Sequence, residues 1–339
     1  MSQPAILITG GAGYIGSHTA KAVRAAGIVP VVYDDLSNGH AEAVKWGPFI
    51  PGDIRDRSTL CAAMRNHQVV GVINFAGLIE VGGSVVDPAR FWDHNVAGMS
   101  AVLDAMRSTG VDRLVFSSTA AVYGLPSSSR ALRETDATTP INPYGDTKLA
   151  CERMIAAFCD AYGLSAVALR YFNAAGADRD GDIGEAHAPE SHLIPLAVEA
   201  ALGWRPPLTV FGEDFDTADG TCVRDYIHVE DLAAAHVAAL GLAMKPGAFE
   251  AMNLGTGQGH SVREVLAAVE RATGRAVPHA VGPRRKGDPD RLVADASVAR
   301  ARLDWQPERS TLDRIVASAV AWRRAPKFGL ATAPDRQAA

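Results

Sequence analysis

The sequence carries a tyrosine and a lysine four residues apart, Tyr144 and Lys148, which together could carry out proton chemistry. This spacing puts both side chains on one face of a helix, and Pro143 suits the first helical position, where a missing N–H costs nothing. A phenol has a pKa near ~10, and a lysine ammonium beside it favours the ionised form. Such a pair could take a proton from an alcohol while hydride leaves the same carbon. The alternative is an ordinary amphipathic helix, because the spacing is short and common.

The size of the required pKa change makes a cofactor part of this hypothesis. Bringing a phenol pKa from ~10 to about 7 takes ~4 kcal/mol of differential interaction. A positively charged oxidised nicotinamide nearby would add to what the lysine supplies. The question is therefore whether the rest of the chain provides a dinucleotide site.

A predicted strand, a glycine-rich turn and a predicted helix open the chain. The apolar run Ala5–Thr9 leads directly into Gly10-Gly11-Ala12-Gly13-Tyr14-Ile15-Gly16, after which the composition becomes helical. Gly11, Gly13 and Gly16 match the dinucleotide fingerprint in its required setting. The first allows a tight turn, the second lets the backbone approach a pyrophosphate, and the third lets helix and strand pack closely. The sequence therefore predicts a bound dinucleotide.

An acidic residue at the end of the second predicted strand indicates which dinucleotide is bound. The strand covers residues 29–33, and Asp34 follows it, at a place suited to accepting hydrogen bonds from the adenosine ribose hydroxyls. Asp35 comes next, and no arginine lies between Asp34 and His40 to accept a 2′-phosphate. NAD is therefore favoured over NADP. The alternative for Asp34 is a turn residue at a strand end.

Further candidates lie near the ends of other predicted elements. Residues 112–118 form a predicted strand that delivers Thr119 to its carboxyl end, outside which ligands of open α/β sheets bind. Its hydroxyl could contact the same alcohol as Tyr144, although a threonine-rich turn is the alternative. Asp53 is a candidate for binding the edge of the adenine ring. The small residues Ala76 and Gly77 end a buried strand, where backbone could pass close to the cofactor. Asn95, in a predicted helix, could bind catalytic-loop backbone or be a surface polar residue.

Alternating strands and helices predict an α/β fold with a Rossmann-type doubly wound parallel sheet. After residue 173 the pattern changes to a long loop rich in Gly, Asp and Ala, followed by short elements. We therefore predict an NAD-binding Rossmann domain over residues 1–173, with a return segment at about 225–255. A smaller α/β substrate-binding lobe is predicted over residues 174–224 and 256–330.

Composition excludes several classes of protein. The 339 residues exceed the usual ~100–200 of one domain, and a hydrophobic content of 47% allows a large core. The net charge of −5 argues against a nucleic-acid partner. The four cysteines lack C-x-x-C spacing and indicate free thiols in a reducing compartment. Neither a run of ~18 apolar residues nor a signal-peptide pattern is found. We therefore predict a cytoplasmic protein with a small-molecule substrate and no membrane partner.

Charged side chains in the second half of the chain suggest two kinds of site. His187 and His192 lie in an acidic loop and suggest a metal, but no third ligand has suitable spacing and H-E-x-x-H is absent. We therefore predict no metal. Arg224, Arg284 and Arg285 stand beside Gly or Asp loop residues, and arginine forks suit a diphosphate. The alternative for each is a surface salt bridge.

Taken together, these motifs resemble the extended short-chain dehydrogenase/reductase family. The glycine-rich turn, the Ser-Ser-Thr-Ala-Ala-Val-Tyr-Gly segment at 117–124 and the Tyr144/Lys148 pair are shared by many nucleotide-sugar enzymes of that family. The segments 170–173, 223–229, 253–255 and 283–288 look more narrowly like its UDP-glucose 4-epimerases. The likeness runs from about residue 5 to residue 322 without large insertions.

The resemblance implies a tightly held NAD and the interconversion of UDP-glucose and UDP-galactose through a transient 4-keto sugar, and we also predict a homodimer. Tyr144 would take the proton from the sugar 4′-hydroxyl while hydride passes from C4′ to the nicotinamide. Lys148 would hold the cofactor ribose and lower the phenol pKa, and Thr119 would hydrogen-bond the 4′-oxygen. The keto sugar would then swing round its diphosphate link and receive the hydride on its other face.

Position by position, the motifs and the resemblance assign a full set of site residues. The cofactor positions are Gly10, Gly13, Tyr14, Ile15, Gly16, Asp34, Asn38, Asp53, Ile54, Phe75, Ala76, Gly77, Asn95, Tyr144, Lys148 and Phe172. The substrate positions are Thr119, Tyr144, Asn173, His192, Leu193, Phe211, Arg224, Arg285 and Asp288.

Departures from the family pattern leave part of the substrate range open. Ile79 stands where some members carry a lysine toward the cofactor, so that contact is not carried over. Leu292 falls where members carry a residue whose bulk limits the sugar, and a leucine is of intermediate size. A UDP-pentose, UDP-uronate or UDP-N-acetylhexosamine therefore stays an alternative substrate. Dehydration is disfavoured because Ala120 and Ala121, rather than an acid, follow Thr119. A reductase that exchanges its cofactor and a non-catalytic dinucleotide sensor are the remaining alternatives.

Overall fold

The computed structural model of the chain describes residues 3–126, 128–242, 244–285 and 287–330. Within these ranges the strands are β1 (Ala5–Thr9), β2 (Val29–Asp34), β3 (Phe49–Pro51), β4 (Val69–Asn74), β5 (Arg113–Thr119), β6 (Ser165–Tyr171), β7 (Asn173–Ala175), β8 (Leu208–Phe211), β9 (Val223–His228), β10 (Phe249–Leu254), β11 (Gly259–Ser261), β12 (His279–Gly282) and β13 (Arg291–Leu292). The α-helices are α1 (Tyr14–Ala25), α2 (Arg57–Asn66), α3 (Val81–Val86), α4 (Pro88–Phe91), α5 (Gly98–Thr109), α6 (Pro143–Tyr162), α7 (Leu193–Ala201), α8 (Val229–Gly241), α9 (Val262–Thr273), α10 (Ser297–Leu303) and α11 (Leu312–Arg324). No helix in the described ranges is both long enough and apolar enough to cross a membrane.

The predicted doubly wound parallel sheet is confirmed. In the described chain it has seven strands in the order β10-β6-β5-β4-β1-β2-β3, and every neighbouring pair is parallel. Strand β1 near its centre is apolar and buried throughout, as expected where helices cover both faces. One face packs against α2, α5 and α6, and the other against α1, α8 and α10. The parallel pairing brings the carboxyl ends of the strands to one edge, and the two hydrophobic clusters hold the sheet between its helices.

A smaller region forms around two further sheets. Strand β9 pairs with β7, β11 and β13, and β8 pairs with β12. Helices α7, α9 and α11 share a hydrophobic cluster there. Within the predicted return segment, β9 belongs to this region, whereas α8 and β10 pack with the large sheet. The exact domain boundaries stay a prediction.

The helix that carries Tyr144 and Lys148 begins where the sequence predicts. Asn142 is the N-cap, and its side-chain oxygen accepts a hydrogen bond of 2.9 Å from the amide of Gly145. Pro143 occupies the first helical position. The helix ends at Gly163, whose φ of 75° lies in the left-handed region that favours glycine. These local signals place the tyrosine in the first turn.

The predicted helix that contains Asn95 runs from Pro88 to Thr109, and its middle is not α-helical. A π-helical turn, Trp92–Ala97, separates α4 from α5. Such turns insert an extra residue and are frequent at functional sites. Here the turn contains Asn95, whose side chain is described with the site below.

The cap of α6 predicts a stability effect. Asn142→Ala should lower the free energy of unfolding by about 0.5–2 kcal/mol, because the amide of Gly145 loses its side-chain partner. Equilibrium urea unfolding measures this change. Asn142→Asp is the matched control and should retain most of the stability, since a carboxylate can accept the same bond. An equal loss in both variants would show that capping is not the cause.

Candidate active site

A cavity of about 470 Å³ lies where the large sheet faces the smaller region. Its walls include the residues that follow β1, β2, β3, β4, β5 and β6, because parallel strands bring their carboxyl ends to one edge. The opposite wall comes from the loop between β7 and α7 and from the segment before β13. The cavity therefore joins the predicted cofactor and substrate halves.

Most of the predicted site residues line this cavity. They are Gly10, Gly13, Tyr14, Ile15, Gly16, Asp34, Asn38, Ile54, Phe75, Ala76, Gly77, Thr119, Tyr144, Lys148, Phe172, Asn173, His192, Arg224 and Asp288. Five predicted residues do not line it, namely Asp53, Asn95, Leu193, Phe211 and Arg285. The roles assigned to all of these residues stay predictions.

The residues outside the cavity have other partners. The Asp53 carboxylate binds the guanidinium of Arg55, which lowers the pKa of the carboxyl. The guanidinium of Arg285 lies 3.8 Å from the ring centroid of Phe211. Two predicted substrate residues thus stack on each other. Leu193 is the first residue of α7.

Asn95 is buried and joins the cavity wall to α6, the helix that carries Tyr144 and Lys148. Its Oδ1 accepts a hydrogen bond of 2.8 Å from the amide of Leu78, and its Nδ2 donates to the Leu78 carbonyl. The same Nδ2 donates to the Thr147 hydroxyl at 3.0 Å. Leu78 lines the cavity, so Asn95 fixes cavity backbone beside α6.

The turn before α1 fits a diphosphate. The helix begins at Tyr14, and its N-cap Gly13 provides no side-chain cap. The first amides of α1 and the positive end of its dipole therefore face the cavity wall. A Cβ on Gly16 would lie 2.2 Å from the Gly10 carbonyl oxygen, so only glycine allows this close approach of helix and turn.

Hydrogen bonds hold the Asp34 carboxylate in an orientation that suits the two hydroxyls of a ribose. Its Oδ2 accepts a hydrogen bond from the amide of Ala12 at 2.9 Å, and its Oδ1 accepts one from Leu36 at 2.8 Å. Burial raises the pKa of this carboxyl, and these two hydrogen bonds oppose that rise. The carboxylate lines the cavity, with lone pairs left for ribose hydroxyls. The residues present therefore fit a dinucleotide.

The environment of Tyr144 differs from the expectation that Lys148 lowers its pKa. Desolvation raises the pKa of the phenol to about 12, the hydrogen bond with Thr119 lowers it, and Glu80 raises it. Lys148 instead donates a hydrogen bond of 2.9 Å to the Ser117 carbonyl. Burial lowers the pKa of this lysine to about 8. The chain's own residues thus favour the protonated phenol.

A cluster of two glutamates and two histidines at the cavity was missed by sequence reasoning. One side-chain nitrogen or carboxylate oxygen from each of Glu185, His187, Glu190 and His192 lies within 4.8 Å of the others. The prediction from the sequence rests on the two histidines, although the chain also contains the spacing Glu-x-His-x-x-Glu-x-His. His192 lies 2.8 Å from Glu185, and the buried Arg323 guanidinium binds Glu190. Positively charged side chains thus pair with both carboxylates.

Electrostatics tie the loop before α7 to the rest of the protein. Burial opposes the charge on His192, but Glu185 and Glu190 raise its pKa to about 10. Burial also opposes ionisation of Glu185, yet the two histidines hold its pKa well below the usual range. Arg323 of α11 reaches Glu199 of α7 as well, at 2.8 Å. These ion pairs position the cavity wall.

The substrate half of the cavity contains one arginine held by backbone. The Nη1 of Arg224 donates to the carbonyls of Val223 and Pro289 at 2.9 and 3.0 Å. Its guanidinium is 4.0 Å from the Asp288 carboxylate. Leu292 lines the same part of the cavity. Arg224 is therefore a preorganised cation at this wall.

The chain is similar to proteins of known activity over nearly its whole length. Residues 6–255 match the sequence profile of the NAD dependent epimerase/dehydratase family. A UDP-glucose 4-epimerase of Rhizobium meliloti is 51% identical over 95% of this chain and 98% of its own. The structure of UDP-glucose 4-epimerase from Brucella ovis in complex with NAD is 50% identical, has a TM-score of 0.90, and is matched over 97% of this chain and 99% of that chain. The enzyme from Stenotrophomonas maltophila, with bound NAD and formylated UDP-arabinopyranose, is 41% identical with a TM-score of 0.92, over 95% and 98% of the two chains.

The raised pKa of His192 predicts a pH-dependent stability. A histidine in an unfolded chain has a pKa near ~6.5, whereas that of His192 is about 10 in the fold. Protonated His192 therefore stabilises the fold fully below pH ~6.5, and this contribution is lost as the pH rises through about 10. The difference in free energy of unfolding between wild type and His192→Gln should shrink over this range, as measured by urea unfolding at each pH.

The matched control for this prediction is His279→Gln. His279 is exposed, and its ring bonds the Val277 carbonyl rather than a carboxylate. A trend as large in this variant would show that the Glu185–His192 pair is not the source of the pH dependence.

Proposed function

The chain belongs to the NAD dependent epimerase/dehydratase family, and we propose that it is an isomerase, an NAD-dependent UDP-glucose 4-epimerase that interconverts UDP-glucose and UDP-galactose through a transient 4-keto sugar. The observation that carries this proposal is the shared cavity, where Tyr144, Lys148 and Thr119 lie beside the turn before α1. Curated relatives of that activity match nearly the full chain.

The residues that would hold NAD form the half of the cavity beside β1 and β2. The first amides of α1 would bind the diphosphate, and the oriented Asp34 carboxylate would accept hydrogen bonds from the adenosine ribose. Lys148, fixed by the Ser117 carbonyl, would hold the second ribose. When bound, NAD accepts and returns the hydride of the sugar C4′, and its oxidised ring brings a positive charge that favours an ionised phenol.

Tyr144 is the proposed base. Its phenol would take the proton from the 4′-hydroxyl and return it to the same oxygen after the hydride has moved back. Thr119, which lies close enough to the phenol to lower its pKa, would bind that oxygen and keep the proton path short. Because burial raises the pKa of Tyr144 to about 12, the positive charge of the oxidised cofactor would help the phenol to take the proton.

Substrate affinity is proposed to rest on the nucleotide diphosphate rather than on the hexose. A keto sugar that turns to present its other face needs few fixed contacts, so its UDP must stay anchored. Arg224, already fixed by two carbonyls, would bind the diphosphate, and Asp288 and Asn173 lie at the same wall. Arg285 would contribute through its stack on Phe211. The alternative, another UDP-sugar as the main substrate, is not favoured by the relatives.

We also propose a homodimer in a cytoplasmic location. The described cysteines are free, which fits a reducing compartment. The homodimer rests on the family resemblance. Light scattering during gel filtration should therefore give twice the chain mass of 35.7 kDa. A mass of one chain would contradict it.

The activity has a direct test. Purified protein incubated with UDP-glucose, without added cofactor, should form UDP-galactose, because the cofactor stays bound through the cycle. Denaturation of the protein should then release NAD(H), since the Asp34 carboxylate would repel a 2′-phosphate. A panel with a UDP-pentose, a UDP-uronate and UDP-N-acetylglucosamine measures the substrate range. No conversion of UDP-glucose would contradict the proposed function, and release of mainly NADP would contradict the role of Asp34.

Removal of the phenol hydroxyl tests the base. Tyr144→Phe should keep the fold and the bound nucleotide but lose turnover by a factor on the order of 10² to 10⁴, the typical effect of a lost general base. The measurements are kcat and the nucleotide content of the purified variant. Tyr162→Phe, at an exposed tyrosine of the same helix, is the matched control and should behave as wild type. Turnover of Tyr144→Phe within a few-fold of wild type would remove this residue from the mechanism.

A further inference from the structure

Beyond Tyr144 and Lys148, the same face of α6 carries a buried acid, Glu152. The three residues are spaced four apart, so they follow one another along the helix. Glu152 is 3% exposed, and its Oε1 accepts hydrogen bonds from the Ser118 hydroxyl at 2.5 Å and from the Arg170 Nε at 2.9 Å. Its Oε2 accepts from the Arg170 Nη2 at 2.6 Å. The carboxylate thus joins α6 to β5 and β6.

These three helix residues grip three successive residues at the end of β5. Lys148 binds the carbonyl of Ser117 and Glu152 binds the hydroxyl of Ser118, while the phenol of Tyr144 lies close enough to Thr119 for that residue to lower its pKa. A displacement of the strand end along the helix would disturb all three contacts together. The position of the Thr119 hydroxyl relative to the Tyr144 phenol therefore depends on the hydrogen bond between Ser118 and Glu152.

The carboxylate of Glu152 is itself held by groups from other strands. Arg170 of β6 also donates from its Nη1 to the Tyr123 hydroxyl at 3.0 Å. Tyr123 in turn donates to the Oδ1 of Asn253 in β10 at 2.7 Å. Every member of this network is buried and has partners, which makes the network rigid. It therefore connects the catalytic helix to three strands of the large sheet.

Stability alone is a poor reason for this charge pair. Desolvation of two buried charges opposes their attraction, and well-packed apolar residues of similar volume often serve the fold as well or better. A role in geometry accounts for the pair, because a bidentate arginine fork fixes both the position and the orientation of a carboxylate.

We propose that the Glu152–Arg170 ion pair positions the active site by setting, through Ser118, the register of the β5 end against the catalytic helix. The proposal rests on the proposed epimerase function. Glu152, Arg170 and Ser118 do not line the cavity, so they act through Thr119 and Tyr144 rather than on the substrate. Their loss should lower kcat and leave the binding of UDP unchanged.

Ser118→Ala is the most direct test, because it removes the hydrogen bond between β5 and Glu152 and leaves the Glu152–Arg170 ion pair in place. In the NAD-loaded protein, kcat for UDP-glucose should fall roughly ten- to a hundredfold, since small misplacements of reacting groups have effects of this size. The dissociation constant of free UDP should stay within about twofold. The matched control is Ser310→Ala, because Ser310 is also a buried serine that donates to a buried carboxylate, Asp231, at 2.5 Å. It does not line the cavity, so this variant should lose stability without losing kcat.

Two variants of Glu152 separate an effect on the position of the active-site groups from an effect on the stability of the fold. Glu152→Gln keeps an oxygen that can accept the Ser118 hydrogen bond, whereas Glu152→Ala does not, so the glutamine variant should retain more kcat. If Ser118→Ala keeps a kcat within twofold of wild type, or if Ser310→Ala loses as much, the proposal is overturned.

A crystal structure of Ser118→Ala gives a readout that is independent of the reaction. The distance between the Thr119 hydroxyl and the Tyr144 phenol oxygen should differ from that in the wild-type structure. An unchanged distance would overturn the positioning role even if turnover fell. If wild-type protein converts no UDP-sugar, the proposed function fails, while this structural comparison still decides whether Ser118 and Glu152 set the register.

Discussion

A buried ammonium is the constraint around which this site is built. Lys148 is 3% exposed, and burial lowers its pKa to about 8. Its charge is stabilised by the Ser117 carbonyl and by the face of the Phe116 ring 5.0 Å away. Both partners belong to β5. The ammonium therefore links α6 to the end of β5.

Burial also affects the phenol that we propose as the base. Desolvation raises the pKa of the Tyr144 phenol, and Lys148 is bound to the Ser117 carbonyl rather than to the phenol. A positive charge that arrives with the oxidised cofactor would act strongly in such a site, because little water screens it. In the proposed mechanism, proton removal would thereby be coupled to the presence of the hydride acceptor.

The two walls of the cavity are built by different means. The cofactor wall follows from the strand ends of one parallel sheet and from the glycines before α1, so its geometry is that of the backbone. The opposite wall is an irregular loop held by ion pairs, among them His192 with Glu185 and the buried Arg323 with Glu190 and Glu199. A backbone wall suits a cofactor that stays bound. A wall made of a loop suits a substrate that must enter, turn and leave.

Local sequence determined the first of these walls and the catalytic helix. The strand, turn and helix around Gly13, the acid Asp34 at the end of β2, and the proline before Tyr144 all depend on residues that are neighbours in the chain. Dihedral preferences and hydrogen-bonding patterns act at this range, so spacing alone predicted these features. The resemblance to a family extended the same argument to the activity.

Only the tertiary structure decided what holds these groups in place. The hydrogen bonds of Asn95 to Leu78 and Thr147, the stack of Arg285 on Phe211, and the hydrogen bond between Glu152 and Ser118 join residues that lie far apart in the sequence. The pKa of Tyr144 likewise depends on how much water the assembled fold removes from it. Burial and long-range pairing are properties of the packed chain, and no local pattern encodes them. The sequence by itself determined which chemical groups are present, and packing decided which of them meet.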